Sequence, residues 1–332
     1  MAMPDIDDFS RKRSRIALLL IVGAGLQATV GAAQTYPDKP IRLIVPGGPG
    51  GPTDVLGRLA TQFLPKLGQP AVIENRPGAG GAIGARAAAT APPDGHTLLV
   101  ANTSVLAVIP AVSASAGYDP TKDFSPVAKF SESFQILVVP PSSPWRTIKD
   151  LIADAKANPG KLNYAHTGRG GLPHLTGELF LARAGVNIVG VPYRSGGESV
   201  NAVLSGAVHM TFEGITVLLP LIRDGRLRAL AVTSRARTAL APDLPTMIEA
   251  GVPDYEVTTF NGFMAPAGTP ASIVAKLNAT INEAIAAPDM QETVRRLGAV
   301  SHPGTPDAFG AFIAAELKKW TAVAQAANIK VD

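Results

Sequence analysis

The 332-residue chain has no cysteine. That excludes disulfides, thiolate metal sites and cysteine nucleophiles together. Charge is also scarce, with only 17% Asp, Glu, Lys and Arg, and basic residues exceed acidic ones by just four. The only basic run is "RKRSR" (11–15), so a nucleic-acid partner is not expected. Long apolar runs are missing too. "IALLLIVGAGL" (16–26) is the longest, and a spanning helix needs ~20 residues. Gly 33 and Pro 29 are high counts but follow no fixed period, which excludes a collagen-like fibre.

Nucleotide and catalytic signatures are absent as well. "VPGGPGGPTD" (45–54) is glycine-rich, but Pro52 follows Gly51 and no Lys-Ser/Thr pair closes a Walker loop. Gly48 and Gly50 give G-x-G, yet Thr53 occupies the third glycine position, as Ile83 does in "PGAGGAIG" (77–84). No G-x-S-x-G elbow occurs, and "GGESVN" around Ser199 is not one. The histidines at 96, 166, 174, 209 and 302 form no zinc spacing. Neither a cofactor nor a metal is expected, and no residue is assigned a catalytic role.

What is present begins at the N-terminus. The basic cluster, the apolar run and the small residues of "VGAAQ" (30–34) have the order of a secretory signal peptide, residues 1–33. Gly31 and Ala33 suit a cut between Ala33 and Gln34. Cleavage removes four basic and three acidic residues, leaving 26 against 23, and predicts a soluble exported protein.

From residue 41 short apolar runs alternate with amphipathic segments. Strands are predicted at 41–45, 71–75 and 96–102, with helices at 53–68 and 80–90 between them. A second series starts with a strand at 134–140. Its first helix has Thr147 and Asp150 at capping-box spacing, and strands follow at 162–166, 187–193, 208–213 and 227–234. Helices at 269–285 and 305–328 both open on Thr-Pro, an N-cap followed by proline. The alternation implies α/β units with parallel strands. If the strand near 257–266 returns to the first unit, that domain is discontinuous: 34–133 plus 259–332, with 134–258 as the second domain.

Matching glycine-rich strand-to-helix turns occur in the two units, at 45–54 and 164–175. Such a turn exposes backbone N–H groups at a helix N-terminus, where the dipole favours a carboxylate. In the first turn Asp54 would oppose an anion, so it is expected to turn aside and cap amides. The second turn, "YAHTGRGGLPHL" (164–175), offers the Thr167 hydroxyl, the backbone of Gly168, Gly170 and Gly171, and the Arg169 guanidinium. His174, just inside a helix, reads as a local hydrogen-bonding residue. Glu213 ends a strand and could accept a hydroxyl or ammonium.

The stretches 36–60, 72–99, 118–128, 191–214, 222–234 and 265–270 resemble the periplasmic solute-binding subunits of tripartite tricarboxylate transporters, the Bug family. These include "YPDKPIRLIVPGGPGGPTDVLGRLA", "VIENRPGAGGAIGARAAATAPPDGHTLL" and "VPYRSGGESVNAVLSGAVHMTFEG". The likeness runs through the whole mature chain. It implies a two-domain Venus-flytrap binding fold of the type II kind, closing on a carboxylate in the cleft between the domains. Carried over, the ligand loops are Gly47, Gly48, Gly50, Gly51, Thr53 and Asp54, and Thr167, Gly168, Arg169, Gly170 and His174. Thr103, Ser104 and Tyr193 support them, and Phe260 stands near the second crossover.

The chain departs from that family at three points. Gly47 and Gly48 stand where an aromatic and an alanine are usual. Arg169 and Gly171 replace small residues and a serine, and Glu213 replaces an aspartate. A larger anion is therefore expected, such as an aromatic carboxylate paired with Arg169. The resemblance implies a monomeric, non-catalytic periplasmic receptor that delivers a di-/tricarboxylate or aromatic carboxylate to transient membrane transporter partners. A periplasmic sensor subunit and a secreted α/β hydrolase are the alternatives.

Overall fold

The computed structural model describes residues 36–301 and 303–331. The expected signal peptide (1–33) and its cut at Ala33 lie outside the described residues. Ile41–Val45 forms β1, whose apolar side chains are fully buried. Its neighbours β2 (Ala71–Asn75) and β3 (Thr97–Asn102) both run parallel to it. Their crossovers are α1 (Pro52–Phe63) and α2 (Ala82–Ala89). After β3 a π-helical turn over Ser104–Val108 runs into the short α3 (Ile109–Val112).

The sixteen-residue β4 (Phe124–Val139) leads into the second unit. There follow α4 (Ile148–Ala157), β5 (Asn163–Thr167), α5 (Leu172–Ala184), β6 (Val189–Tyr193), α6 (Gly196–Leu204), β7 (Met210–Gly214), α7 (Ile215–Arg223) and β8 (Arg228–Val232). Here β5 is the parallel centre, paired with β6 and β7. The chain returns through β9 (Thr258–Pro266) and continues as α8 (Ala271–Ala286), α9 (Pro288–Arg296), β10 (Ala299–Val300) and α10 (Pro306–Ala326).

The strand order is β2-β1-β3-β9-β4-β7-β5-β6, with β8 and β10 also on β4. Parallel pairing holds inside each unit, but the strands joining the units, β4 and β9, pair antiparallel. A wholly parallel arrangement is therefore not what forms. β4 changes partner midway: Phe124–Phe134 lies along β9, whereas Gln135–Val138 pairs with β7. Two register shifts, at Pro126/Ala128 and Lys129/Ser131, bend the strand as bulges do. The result is a two-domain α/β fold with a lobe at each end of one curled sheet.

The last helix spans both lobes. Phe309 and Ile313 of α10 pack with Leu99, Phe260 and Met264 of the first lobe. Trp320, Val323 and Ala324 pack with Tyr164, Phe180 and Phe212 of the second. Among the described residues no helix is long and apolar enough to cross a membrane.

Candidate ligand-binding cleft

The β1–α1 and β5–α5 turns are the same structure built twice. Gly50 and Gly170 both take the left-handed backbone conformation, at φ 81° and 77°. Gly51 and Gly171 then enter α1 and α5 through extended N-caps (φ −73°, ψ 165° and φ −75°, ψ 162°) with no side-chain cap. Proline in the first turn suits a helix start, and both helices have one, Pro52 and Pro173. With no capping side chain, first-turn N–H groups remain for a ligand.

Each turn is braced from the third helical position back to its left-handed glycine. In the first lobe Asp54 Oδ2 accepts from Gly50 N–H at 2.9 Å. It is fully buried. Oδ2 also takes Arg58 Nε at 2.8 Å, and Oδ1 takes Asn75 Nδ2 at 2.9 Å. The Gly50 amide, followed by Asn75 and Arg58, lowers the Asp54 carboxyl pKa to about 2. In the second lobe His174 Nδ1 accepts from Gly170 N–H at 3.1 Å. His174 stacks on His166, with ring centroids 4.2 Å apart and planes 15° from parallel. His166 in turn donates Nδ1–H to the Gly168 carbonyl at 3.1 Å.

A groove of about 490 Å³ runs between the lobes. It gathers five of the residues singled out in the sequence, Ser104 from the first lobe and Thr167, Arg169, Gly170 and Gly171 from the second. Gly80 and Arg86 line it as well. Arg86 was not expected. Its stem lies over Gly117, and its sequence signal is a lone cation in the small-residue helix "AIGARAAA". Arg169 is exposed and has no ion-pair partner among the described residues. Gly50 instead borders a second pocket of about 420 Å³ with Leu56, Phe130, Leu297 and Thr216. Gly47 and Gly48 look onto open space, since a Cβ on either would meet nothing within 4 Å.

Other expected residues are placed inward. Phe260 is fully buried, edge-on to Phe309 and Phe312, so its ring has no surface to offer a solute. Thr103 is buried beneath it and accepts from Phe260 N–H at 2.7 Å. Thr53 accepts from Asn102 Nδ2 at 2.9 Å, which leaves its hydroxyl with a structural partner. Tyr193 closes β6 opposite Thr167 and is half-buried. Glu213, half-buried at the end of β7, accepts from Gly214 N–H at 3.1 Å. Burial raises its carboxyl pKa.

Two asparagines outside the expected site residues hold the first turn in place. Asn75 Nδ2 reaches Gly47 O at 3.0 Å as well as Asp54, and Asn102 Oδ1 accepts from Val105 N–H at 3.1 Å. Their signal is a polar residue closing an apolar strand, "AVIEN" and "TLLVAN". Among the described residues no cluster of three His, Asp or Glu side chains is arranged to hold a metal.

Comparison with known proteins identifies this architecture. The model of the tripartite tricarboxylate transporter family receptor matches residues 55–329. The chain belongs to that receptor family. BugT of Bordetella pertussis is 39% identical over 315 residues, covering 94% of this chain and 96% of BugT. A Rhodopseudomonas palustris protein solved with adipate is 35% identical, with a TM-score of 0.74 over 89% of this chain and 99% of its own. MatC of the same organism, solved with bound malate, is 33% identical, with a TM-score of 0.71 over 87% and 99% of the two chains. The family is one of periplasmic receptors, not of enzymes.

Proposed function

We propose that this receptor is exported, loses its leader near Ala33, and acts without catalysis. It captures an organic carboxylate between its two lobes and presents it to a tripartite-type membrane transporter. The observation that carries the reading is the duplicated turn, one copy per lobe, each opening the N-terminus of a long helix. The groove that the second turn shares with the first lobe bears Arg86 and Arg169, and guanidinium groups recognise carboxylates in bidentate geometry. The adipate and malate held by its structural relatives make dicarboxylates the first class to test. The open space at Gly47 and Gly48 favours larger members of that class and aromatic acids.

Closure follows from contacts that exist only when both lobes touch the solute, which shifts the population toward the closed state. The hinge is assigned to the two chain crossings near 133–134 and 258–259, which would separate domain one (34–133 plus 259–332) from domain two (134–258). The change of partner along β4 supports this division, while α10 spans both. The receptor works as a monomer, with membrane subunits as transient partners.

The test is a thermal-shift screen of refolded mature protein against mono-, di-, tri- and aromatic carboxylates. A ligand at a hundred times its Kd stabilises by ~2.7 kcal/mol. No shift from any carboxylate, or turnover of an ester panel, overturns the reading.

A further inference from the structure

The two braced turns differ in one chemical respect. Asp54 is a carboxylate with a pKa held near 2, so its oxygens accept from Gly50 N–H throughout neutral and mildly acidic conditions. His174 accepts from Gly170 N–H through a ring nitrogen, and a ring nitrogen accepts only when it carries no proton. We propose that His174 is a positioning residue for the second anion turn. Neutral, it holds Gly170 and the Thr167–Gly171 backbone in binding shape. Protonated, it releases them, so carboxylate affinity falls on acidification through this lobe alone. This rests on the reading of that turn as half of a carboxylate clamp.

The surroundings fix which way the effect runs. An Nδ1 that accepts leaves the ring proton on Nε2, which faces Glu178 Oε1 at 3.7 Å. From β5 the ring is faced by His166; Tyr164, packed on His166, donates its hydroxyl to Glu178 Oε1 at 2.9 Å. From the turn itself comes Arg169. Gly190 and Pro192 of β6, and Ala327 and Ile329 beyond α10, close the surroundings and carry no charge. A second ring proton would go onto Nδ1, pointing at the Gly170 N–H. Two donors would then oppose each other inside the turn. The added charge would lie beside Glu178, which offsets its pull on a bound anion.

Burial, followed by the Arg169 charge, lowers the His174 pKa below its ordinary value. For a base whose folded pKa is depressed, the neutral form is favoured by folding. The brace is complete above the unperturbed pKa of ~6.5 and is lost as pH falls through the folded value. His166, held at about 4 mainly by burial, stays neutral over most of the range from pH 8 to 5.

Three forms of the mature protein distinguish the proposal: wild type, His174→Asn and His174→Leu. Asn is neutral and does not titrate. Asp54 shows that a side chain of its length reaches the left-handed glycine from this helical position. Calorimetry with adipate and malate from pH 8 to 5 reads affinity, and 15N NMR of the Gly170 amide reads the brace without ligand. Wild type should lose roughly 3- to 10-fold in affinity over that range, about the worth of one hydrogen bond. His174→Asn should match neutral wild type and vary less with pH, because ligand protonation acts on both proteins alike. His174→Leu should bind weakly throughout. Parallel pH profiles for wild type and His174→Asn would overturn the proposal. If neither acid binds, the clamp reading is in question, yet the Gly170 amide still decides the brace: indifference to pH between 8 and 5 overturns it.

Discussion

The Glu213 carboxyl lies directly against Gly196: a Cβ on that glycine would overlap Oε1 and come within 2.9 Å of the carboxyl carbon. Gly196 opens α6, so the acid at the end of β7 is held at a helix N-terminus by the lack of a side chain. The atoms met are the far end of a half-buried, flexible side chain, so Gly196→Ala should push the carboxyl aside and cost less than about 1 kcal/mol. Gly197→Ala is the control, because a Cβ there meets only Ser195 Oγ, at 3.9 Å. Thermal melts of the pair check this, and a much lower melting temperature for Gly196→Ala would show that Glu213 is tightly seated.

The same acid carries a pH prediction. Its pKa is raised by burial, so folding favours the protonated form. That contribution is present below the ordinary glutamate pKa of ~4.3 and fades as pH rises through the folded value. At pH 7 the buried carboxylate is thus a liability without ligand, and Glu213→Gln should melt higher than wild type there. At pH 4 the difference should shrink. If Glu213 receives a ligand hydroxyl, the variant should also bind malate more weakly, while adipate, which has no hydroxyl, is affected less.

How much of this could be read in advance depends on how local each signal is. β1 and β3 are buried over most of their length, so they appear as short apolar runs, with Arg42 the one interruption in β1 and Thr97 and Asn102 at the ends of β3. The Thr147–Asp150 capping box and the Thr305 cap form as the spacing implies. Thr269 does not cap α8, because its hydroxyl donates to Pro266 O at 2.8 Å. The first half of β4 was invisible: Pro126, Lys129 and "SES" (131–133) break the alternation where the strand itself shifts register. α9 has only Val294 buried and so shows no apolar stripe. At the cleft, the glycine turns and the inward role of Asp54 were legible from residue type. The burial of Thr103 and Phe260 was not, since it depends on β9 packing against α10, far away in sequence.

Arg86 and Arg169 come from opposite lobes to one groove, and under the proposed function a dicarboxylate would engage both. Hydrogen bonds to charged groups contribute about 1.5–3 kcal/mol. Arg169→Ala and Arg86→Ala should each weaken dicarboxylate binding by roughly 10- to 150-fold on that scale. A monocarboxylate should be sensitive to one of them only. Calorimetry with adipate and benzoate separates these outcomes. If Arg86→Ala leaves both affinities unchanged, Arg86 is only a solvated wall of the groove.

Trp320 tests whether the lobes unfold together. It is fully buried in the second-lobe core, and its Nε1–H donates to Glu316 Oε2 at 3.0 Å. Phe309, on the same helix, is buried in the first-lobe core. Removing a buried aromatic costs about 3–5 kcal/mol, so Trp320→Ala and Phe309→Ala should both be strongly destabilised. Because α10 is continuous between the cores, the loss at either end should reach the other lobe through the helix. Denaturant melts followed by intrinsic fluorescence and by far-UV circular dichroism should then coincide for each variant. The fluorescence probe is Trp145 in the first case and both tryptophans in the second. Two separated transitions in Trp320→Ala, with the first lobe melting at its wild-type midpoint, would show that the lobes are energetically independent and that α10 only lies across them.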